Sequence, residues 1–205
     1  MSPLNVTVSQ KKLIGELDLE QCPHCGRGKP TLSIIHRQTT SGKIDNQEQV
    51  WSFYSCSSCG KVVMGWSMPT DTTAVEIWPK SKEADESLPS KAREYLQQAI
   101  NSLAQPSGAI MLAASSIDDM LRTKGYKDGS LYERIKTAAT DHLITEQMKE
   151  WAHEVRLQSN EERHPDEDSE LPTPEEATEA INFVEAFAEY LFVLPSKIKR
   201  WKESE

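Results

Sequence analysis

Four cysteines form two close pairs in the first third of the chain, Cys22-Pro-His-Cys25-Gly26 and Cys56-Ser-Ser-Cys59-Gly60. Two thiolates separated by two residues can curl around one cation, and the glycine after each pair relieves crowding in the turn. Two such turns supply four sulfurs, which close a tetrahedral shell and leave no open position for chemistry. The sequence therefore predicts a structural zinc ion (Zn2+) bound by Cys22, Cys25, Cys56 and Cys59.

A redox-active thiol pair is the alternative for a lone Cys-x-x-Cys motif, but two matched pairs favour metal binding. We expect His24, between two ligands, to point away from the metal. Thirty residues separate the pairs, which fits a β-hairpin inserted between the two turns. Zinc ribbons bind nucleic acid, bind protein or stabilise a domain too small to fold alone. Basic residues are scattered around this ribbon, which favours the stabilising role.

A second set of polar residues follows one side of a predicted helix, because Arg156, Asn160 and His164 lie four residues apart. Pro165 disfavours helical geometry at His164 and so predicts the end of the helix there. A histidine at a helix C-terminus is exposed and titrates near neutral pH. Residue chemistry alone leaves two readings: a functional site, or a surface arginine paired with a neighbouring glutamate beside an incidental histidine cap.

The formal net charge of −9 is concentrated in one stretch, since residues 161–190 contain eleven Asp or Glu and a single basic residue, Arg163. This excludes a globally basic nucleic-acid binder, although a locally positive site remains compatible with it. No apolar run is long enough to span a membrane, and residues 1–12 lack the apolar core of a secretory signal. We therefore expect a cytoplasmic protein without membrane contact, in which reduced cysteines bind metal.

Two kinds of element must position these residues, and they predict an α+β protein. Four short runs rich in β-branched and aromatic residues predict strands at 31–37, 49–54, 61–67 and 74–78. They belong to a small β-rich zinc-ribbon domain at 1–80. Residues 81–89 have the composition of a linker, and an all-α bundle is predicted at 88–205.

Five helices are predicted in the bundle, starting near Ser90, Pro106, Ser130, Thr145 and after Thr173-Pro174. The second ends at Gly125. Its predicted buried stripe is Ile110, Ala113, Ala114, Ile117, Met120 and Leu121. The stripe of the last helix is Ala177, Ala180, Ile181, Val184, Phe187, Ala188 and Leu191. The fourth helix is expected to bury Met148, Trp151, Ala152 and Val155. Such stripes are typical of an antiparallel bundle.

From about Trp78 to Leu194 the chain resembles a bacterial family of uncharacterised helical domains placed in the HEPN superfamily. The resemblance rests on Ile77-Trp-Pro79 leading to Leu88-Pro89, on Ala113-Ala-Ser-Ser-Ile-Asp-Asp-Met-Leu-Arg122 before Gly125, on Leu131-Tyr-Glu-Arg-Ile135, and on Arg156-Leu-Gln-Ser-Asn160-Glu-Glu-Arg-His164-Pro. Family members often carry an N-terminal Cys-rich ribbon, which also matches.

The resemblance implies a HEPN-like bundle that forms a homodimer; many superfamily members are metal-independent ribonucleases of toxin or antiviral defence systems. It implies that His164 takes part in proton transfer around the ribose 2′-hydroxyl, that Arg156 stabilises charge on the phosphorane, and that Asn160 holds the phosphate or the imidazole. The sequence departs from the ribonuclease motif in two ways. Leu157 follows Arg156 where the motif has a polar residue, and seven residues rather than four to six lie between Arg156 and His164. Acidic neighbours of His164 also oppose a phosphate backbone.

Three functions are compatible with the sequence. The first is a ribonuclease or RNA-binding effector of a defence or toxin system, with RNA and a co-encoded protein as candidate partners. The second is a non-catalytic protein-interaction module. The third is a nucleic-acid-binding regulator that acts through the ribbon. A dimer that places both His164 side chains in one cleft favours the first function, a large apolar patch away from that cleft favours the second, and basic surface on the ribbon favours the third.

Overall fold

The computed structural model describes residues 13–14, 16–42, 46–163 and 170–203. The chain divides into two compact units, Met1–Lys82 and Glu83–Glu205. Strands occupy the first unit and helices the second. The fold class is α+β, as predicted, and the four cysteines lie in the strand-rich unit.

An antiparallel sheet forms the first unit, with its strands in sequence order from β1 to β6. The strands are β1 Leu13–Ile14, β2 Glu16–Leu17, β3 Leu32–Ser41, β4 Glu48–Cys56, β5 Val62–Ser67 and β6 Glu76–Trp78. The last four correspond to the predicted strands, with β3 extending further. The two-residue strands β1 and β2 were not predicted, because so short a run carries no periodic pattern.

The β3–β4 hairpin fills the thirty residues between the cysteine pairs, as predicted from their spacing. Its register starts with Leu32 opposite Cys56 and ends with Ser41 opposite Glu48. One face of the sheet is buried, as the alternating burial along β5 indicates. The buried apolar residues are Leu17, Leu19, Leu32, Tyr54, Val63 and Ala74, together with Cys22 and Cys56.

Helices α1 to α5 of the second unit match the five predicted ones. Their bounds are α1 Ser90–Asn101, α2 Pro106–Thr123, α3 Leu131–Thr140, α4 Glu146–Arg163 and α5 Pro174–Ala188. Helices α3 and α5 each begin with a capping box, formed by Ser130 with Glu133 and by Thr173 with Glu176. Gly125 follows α2 with a φ of 106°, a conformation that a glycine adopts without strain. Among the helices of the described ranges, none has the length and apolar character needed to cross a bilayer.

The stripes predicted for α2 and α5 form the core of this unit, and each of their residues is buried. In α4 the prediction is right for Ala152 and Val155 and wrong for Trp151, which is 52% exposed. Met148 is only partly buried. Trp151 lies at the edge of the stripe, with its ring 4.9 Å from that of Phe183. The buried line of α4 continues from Val155 to the small residue Ser159, which is 2% exposed.

A π-helical turn, Glu189–Val193, joins α5 to a sixth helix, α6 Leu194–Lys202, that was not predicted. Phe187, Leu191, Leu194, Ile198 and Trp201 have the spacing of one continuous stripe. The π turn contains about one residue more than an α-helical turn, which rotates the later residues by about 100°. Leu194, Ile198 and Trp201 are consequently 44%, 54% and 62% exposed, and α6 has no buried residue.

Candidate functional site

The cysteine cluster consists of two turns with the same backbone hydrogen bonds. In the first, Cys22 N–H donates to the Arg27 carbonyl and Gly26 N–H donates to the Cys22 carbonyl. In the second, Cys56 N–H donates to the Lys61 carbonyl and Gly60 N–H donates to the Cys56 carbonyl. Gly26 and Gly60 have φ values of 68° and 70°, where a side chain would cause strain. Each turn thus directs its two thiols to one side.

The four sulfur atoms lie within 4.8 Å of one another. Four sulfurs at 2.3 Å from a tetrahedral zinc are about 3.8 Å apart, a separation that this limit allows. Cys22 and Cys56 are buried, whereas Cys25 and Cys59 are partly exposed. Four thiols in this arrangement could bind one metal ion.

Burial and mutual contact shift the pKa values of these thiols. Burial raises the pKa of Cys22 to about 12, against hydrogen bonds from the His24 and Cys25 backbone. Burial also raises the pKa of Cys56, but hydrogen bonds from the Cys59 and Ser58 backbone and from neighbouring thiols outweigh it and lower the value to about 7. Cys56 therefore ionises more readily than Cys22.

His24 is not part of the cluster, as expected. Its Nε2 atom lies 2.8 Å from the carbonyl oxygen of Val62, the first residue of β5. The histidine thereby connects the first cysteine turn to the strand that follows the second turn. It holds the two turns together from outside.

A cleft of about 650 Å³ in the helical unit is lined by residues of α1, α2, α3 and α4 and of the loop before α3. Its charged residues are Lys91, Asp118, Asp119, Arg122, Arg134 and Arg156. Its aromatic and other polar residues include Tyr95, Ser115, Ser130, Tyr132, Ser159 and Asn160. Four cationic side chains face two carboxylates, so the cleft is positive although the chain as a whole is acidic.

An ion-pair network joins elements that line the cleft. The Asp118 carboxylate accepts from Arg122 Nε at 2.7 Å and also from Arg134 Nη1. Arg134 is only 6% exposed, and its Nη2 donates to the Gly129 carbonyl at 2.5 Å. This network connects α2, α3 and the loop before α3. Asp118 and Asp119 together balance the charges of Arg122 and Arg134, so Lys91 and Arg156 contribute the net positive charge.

The guanidinium of Arg156 lies over the ring of Tyr132, with its central carbon 5.4 Å from the ring centroid. Its Nε atom is buried and has no hydrogen-bond acceptor among the described residues. His153, one turn earlier on α4, stacks on the same ring at 4.7 Å. Burial lowers the pKa of His153, and the charges of Arg156 and Lys149 lower it further. His153 is therefore neutral near pH 7 and leaves Arg156 as the charge beside Tyr132.

Two of the three predicted stripe residues, Arg156 and Asn160, line this cleft. His164 lies outside the described residues, and so does the end of the helix predicted there. Sequence reasoning missed Lys91, Tyr95, Arg122 and Tyr132. Their separation along the chain hides them, because a cleft between four helices has no linear motif.

The family model described as Domain of unknown function (DUF4145) matches residues 94–204, just over half of the chain. The chain belongs to the DUF4145 family. The DUF4145 match contains Arg156, Asn160 and most of the cleft, whereas the cysteine cluster precedes it. The description of DUF4145 assigns no activity. No curated protein and no solved structure matches the chain.

Proposed function

We propose that the helical unit binds RNA in the cleft and acts as a metal-independent ribonuclease or RNA-binding effector of a bacterial defence or toxin system. The observation that supports this proposal is the positive cleft in a chain of net charge −9. Phosphate backbones bind where lysine and arginine outnumber carboxylates. The proposed ribonuclease activity and the proposed defence or toxin system rest on the resemblance to HEPN domains.

Arg156 is the residue on which the proposal depends most. Arg156 lines the cleft, but its Nε is buried and has no acceptor among the described residues, so it could donate to a ligand only if the side chain moved. A phosphate oxygen is a strong acceptor for a guanidinium. Lys91 and Asn160 line the same cleft and would bind neighbouring oxygens.

Cleavage would follow the chemistry that the resemblance implies. The ribose 2′-oxygen attacks the adjacent phosphorus and loses its proton, and the bond from phosphorus to the 5′-oxygen breaks. That 5′-oxygen gains a proton, so the products are a 2′,3′-cyclic phosphate and a 5′-hydroxyl. His164 would transfer these protons, and Arg156 would stabilise the charge on the phosphorane.

RNA binding is tested by fluorescence anisotropy with a labelled single strand. We expect Arg156→Gln to weaken binding by about ten-fold and to reduce its dependence on salt. Arg200→Gln is a matched control, because it removes an exposed arginine of α6 that does not line the cleft. Wild-type protein that binds no RNA at low salt would refute the proposal.

Cleavage is tested with mixed RNA in the presence of any co-encoded partner. His164→Ala and Arg156→Ala should each abolish cleavage, while a chelator should not block it directly, because a four-thiolate shell has no open position. If wild type and His164→Ala give the same products at the same rate, the ribonuclease is refuted. RNA binding without cleavage would then identify an RNA-binding effector.

We also propose that Cys22, Cys25, Cys56 and Cys59 bind one zinc ion and form a zinc ribbon. The supporting observation is the pair of equivalent turns that gather four sulfurs within 4.8 Å. When bound, the ion would stabilise the small sheet and supply no reactive position. The chain's own contribution is to hold the thiols together, through the glycine turns and the contact of His24 with Val62.

A protein-interaction module is the second candidate function, and α6 is the observation that favours it. Leu194 and Ile198 are about half exposed on a helix that also has Lys199 and Arg200. Exposed apolar residues bordered by charge are typical of protein contacts. If Ile198→Lys abolishes capture of a co-encoded protein while RNA binding is absent in wild type, this function replaces the first.

A further inference from the structure

Two tyrosine rings line the cleft, each with a cation above it. Lys91 Nζ lies 5.7 Å from the centroid of Tyr95 on α1, and the Arg156 guanidinium lies 5.4 Å from that of Tyr132 on α3. Cation–π contacts of this kind hold a charge beside a flat apolar surface. The cleft therefore contains two copies of the same arrangement, a cation beside a tyrosine ring.

Tyr132 is held in place by two side chains of one helix. His153 and Arg156 both belong to α4, one turn apart, and both contact the ring. Tyr132 nevertheless remains 47% exposed. Contacts with two side chains of α4 restrict the ring, and nearly half of the residue stays accessible, so a flat ligand can contact it with little loss of side-chain freedom.

An RNA chain presents two chemical groups in each unit, a phosphate and a base. Cations bind phosphates in single strands and duplexes alike, whereas an aromatic ring can stack only on a base that has left the helix. The volume of about 650 Å³ falls in the range of about 300–1,000 Å³ that is usual for small-ligand sites. This space suits one or a few unstacked nucleotides and not a duplex.

We propose that Tyr95 and Tyr132 stack on RNA bases and make the cleft selective for single-stranded RNA. This inference rests on the proposed function, because it assumes that the cleft binds RNA. The cations provide attraction that is independent of sequence and strandedness. The tyrosines provide the discrimination, and they are specificity-determining residues that take no part in bond breaking.

Three probes of equal length separate the contribution of the cations from that of the tyrosine rings. They are a single-stranded RNA, the same strand annealed to its complement, and a ribose-phosphate oligomer without bases; all carry 2′-O-methyl groups, which prevent attack by the 2′-oxygen. We expect wild-type protein to bind the single strand about 100-fold more tightly than the baseless oligomer or the duplex, because each of the two stacked bases contributes about ten-fold.

Variants identify the residues responsible. Tyr132→Leu and Tyr95→Leu should each weaken binding of the single strand by about ten-fold and leave the baseless oligomer unchanged, and Tyr132→Phe should restore wild-type binding. Tyr190→Leu is the matched control, since this tyrosine is 43% exposed but does not line the cleft. If circular dichroism shows that Tyr132→Leu is unfolded, base stacking is tested instead by Tyr95→Leu and by the binding of the three probes to wild-type protein.

The outcomes are distinct. Equal binding of all three probes, weakened by Arg156→Gln but not by the tyrosine variants, would keep the proposed function and overturn this inference. Tyrosine variants that weaken all three probes equally would also overturn it, because Tyr132 would then act only by holding Arg156. If no probe binds to wild-type protein, the proposed function and this inference fail together.

Discussion

The buried guanidinium of Arg134 on α3 is neutralised by Asp118 on α2, which also accepts a hydrogen bond from Arg122 one turn later. Arg134 is 6% exposed, and the side chain of Asp118 is 26% exposed. A charge in that environment depends on its counter-charge, since water reaches it poorly. Asp118 therefore stabilises the packing of α3 on α2 as well as the shape of the cleft.

Asp118→Ala should destabilise the helical unit by about 2 kcal/mol, because it leaves Arg134 buried without a counter-charge. Urea denaturation followed by circular dichroism measures the effect. Asp119→Ala is the control, since it removes the adjacent carboxylate, which has no part in the Arg134 ion pair. Equal destabilisation by the two variants would show that the pair contributes nothing.

One equivalent of zinc should be found in each purified chain by elemental mass spectrometry. Cys22→Ser and Cys59→Ser should lose the metal and unfold the strand-rich unit, because metal binding and folding are coupled in sites of this kind. Ser58→Ala changes the same turn without removing a thiol and should keep the metal. A wild-type sheet that is stable and metal-free would contradict the zinc site.

The capping box of α5 predicts a dependence of stability on pH. Hydrogen bonds from the Thr173 N–H and hydroxyl hold the pKa of Glu176 below its usual value. A carboxyl with a lowered folded-state pKa adds stability above its unfolded pKa, about 4.3, and this contribution is lost as pH falls through the folded value.

We therefore expect Glu176→Gln to lower the melting temperature at pH 7 and to have progressively less effect as the pH falls below about 4. Thermal melts across this range measure the difference from wild type. Glu175→Gln, in the same helical turn but outside the capping box, should have a smaller effect. A penalty for Glu176→Gln that stays constant down to pH 2 would contradict the role of the carboxylate.

The resemblance to HEPN domains predicts a homodimer. Light scattering at micromolar concentration should give twice the mass of one chain. Ile198→Lys tests whether α6 contributes to the contact, and Ile35→Lys, at a residue that is 57% exposed on β3, is the control for added charge on an exposed isoleucine. A single-chain mass at every concentration would rule out any site shared by two chains.

The cysteine cluster and most of the helical core could be predicted because their signals are local. A cysteine pair and its glycine lie within five residues, and a buried stripe repeats along one helix. Trp151 shows where such a pattern fails: its spacing fits the buried stripe, but its ring lies at the stripe's edge. Helix α6 was not predicted, although Ile198 continues the helical spacing of Leu191; the π turn changes the helical phase, so Ile198 leaves the line of Leu191 and is exposed.

The cleft itself could be predicted only in part. Arg156 and Asn160 share a helix face, so their proximity follows from their spacing. Tyr95, Asp118 and Tyr132 come from three different helices, and only the packing of those helices brings them to one cleft. No sequence motif distinguishes these residues, and their possible role in binding can be inferred only from the residues that lie next to them in the folded structure.

The π turn at Glu189–Val193 also bears on how chain length can vary among related proteins. A single inserted residue in an α-helix is absorbed by widening one turn, and the rest of the helix then keeps its direction and its outward face. A relative one residue shorter in this turn would have a regular helix there and still present the counterpart of Ile198 to the same side. Alignments of this region should therefore place a one-residue gap between the counterparts of Ala188 and Leu194 and not at the helix end.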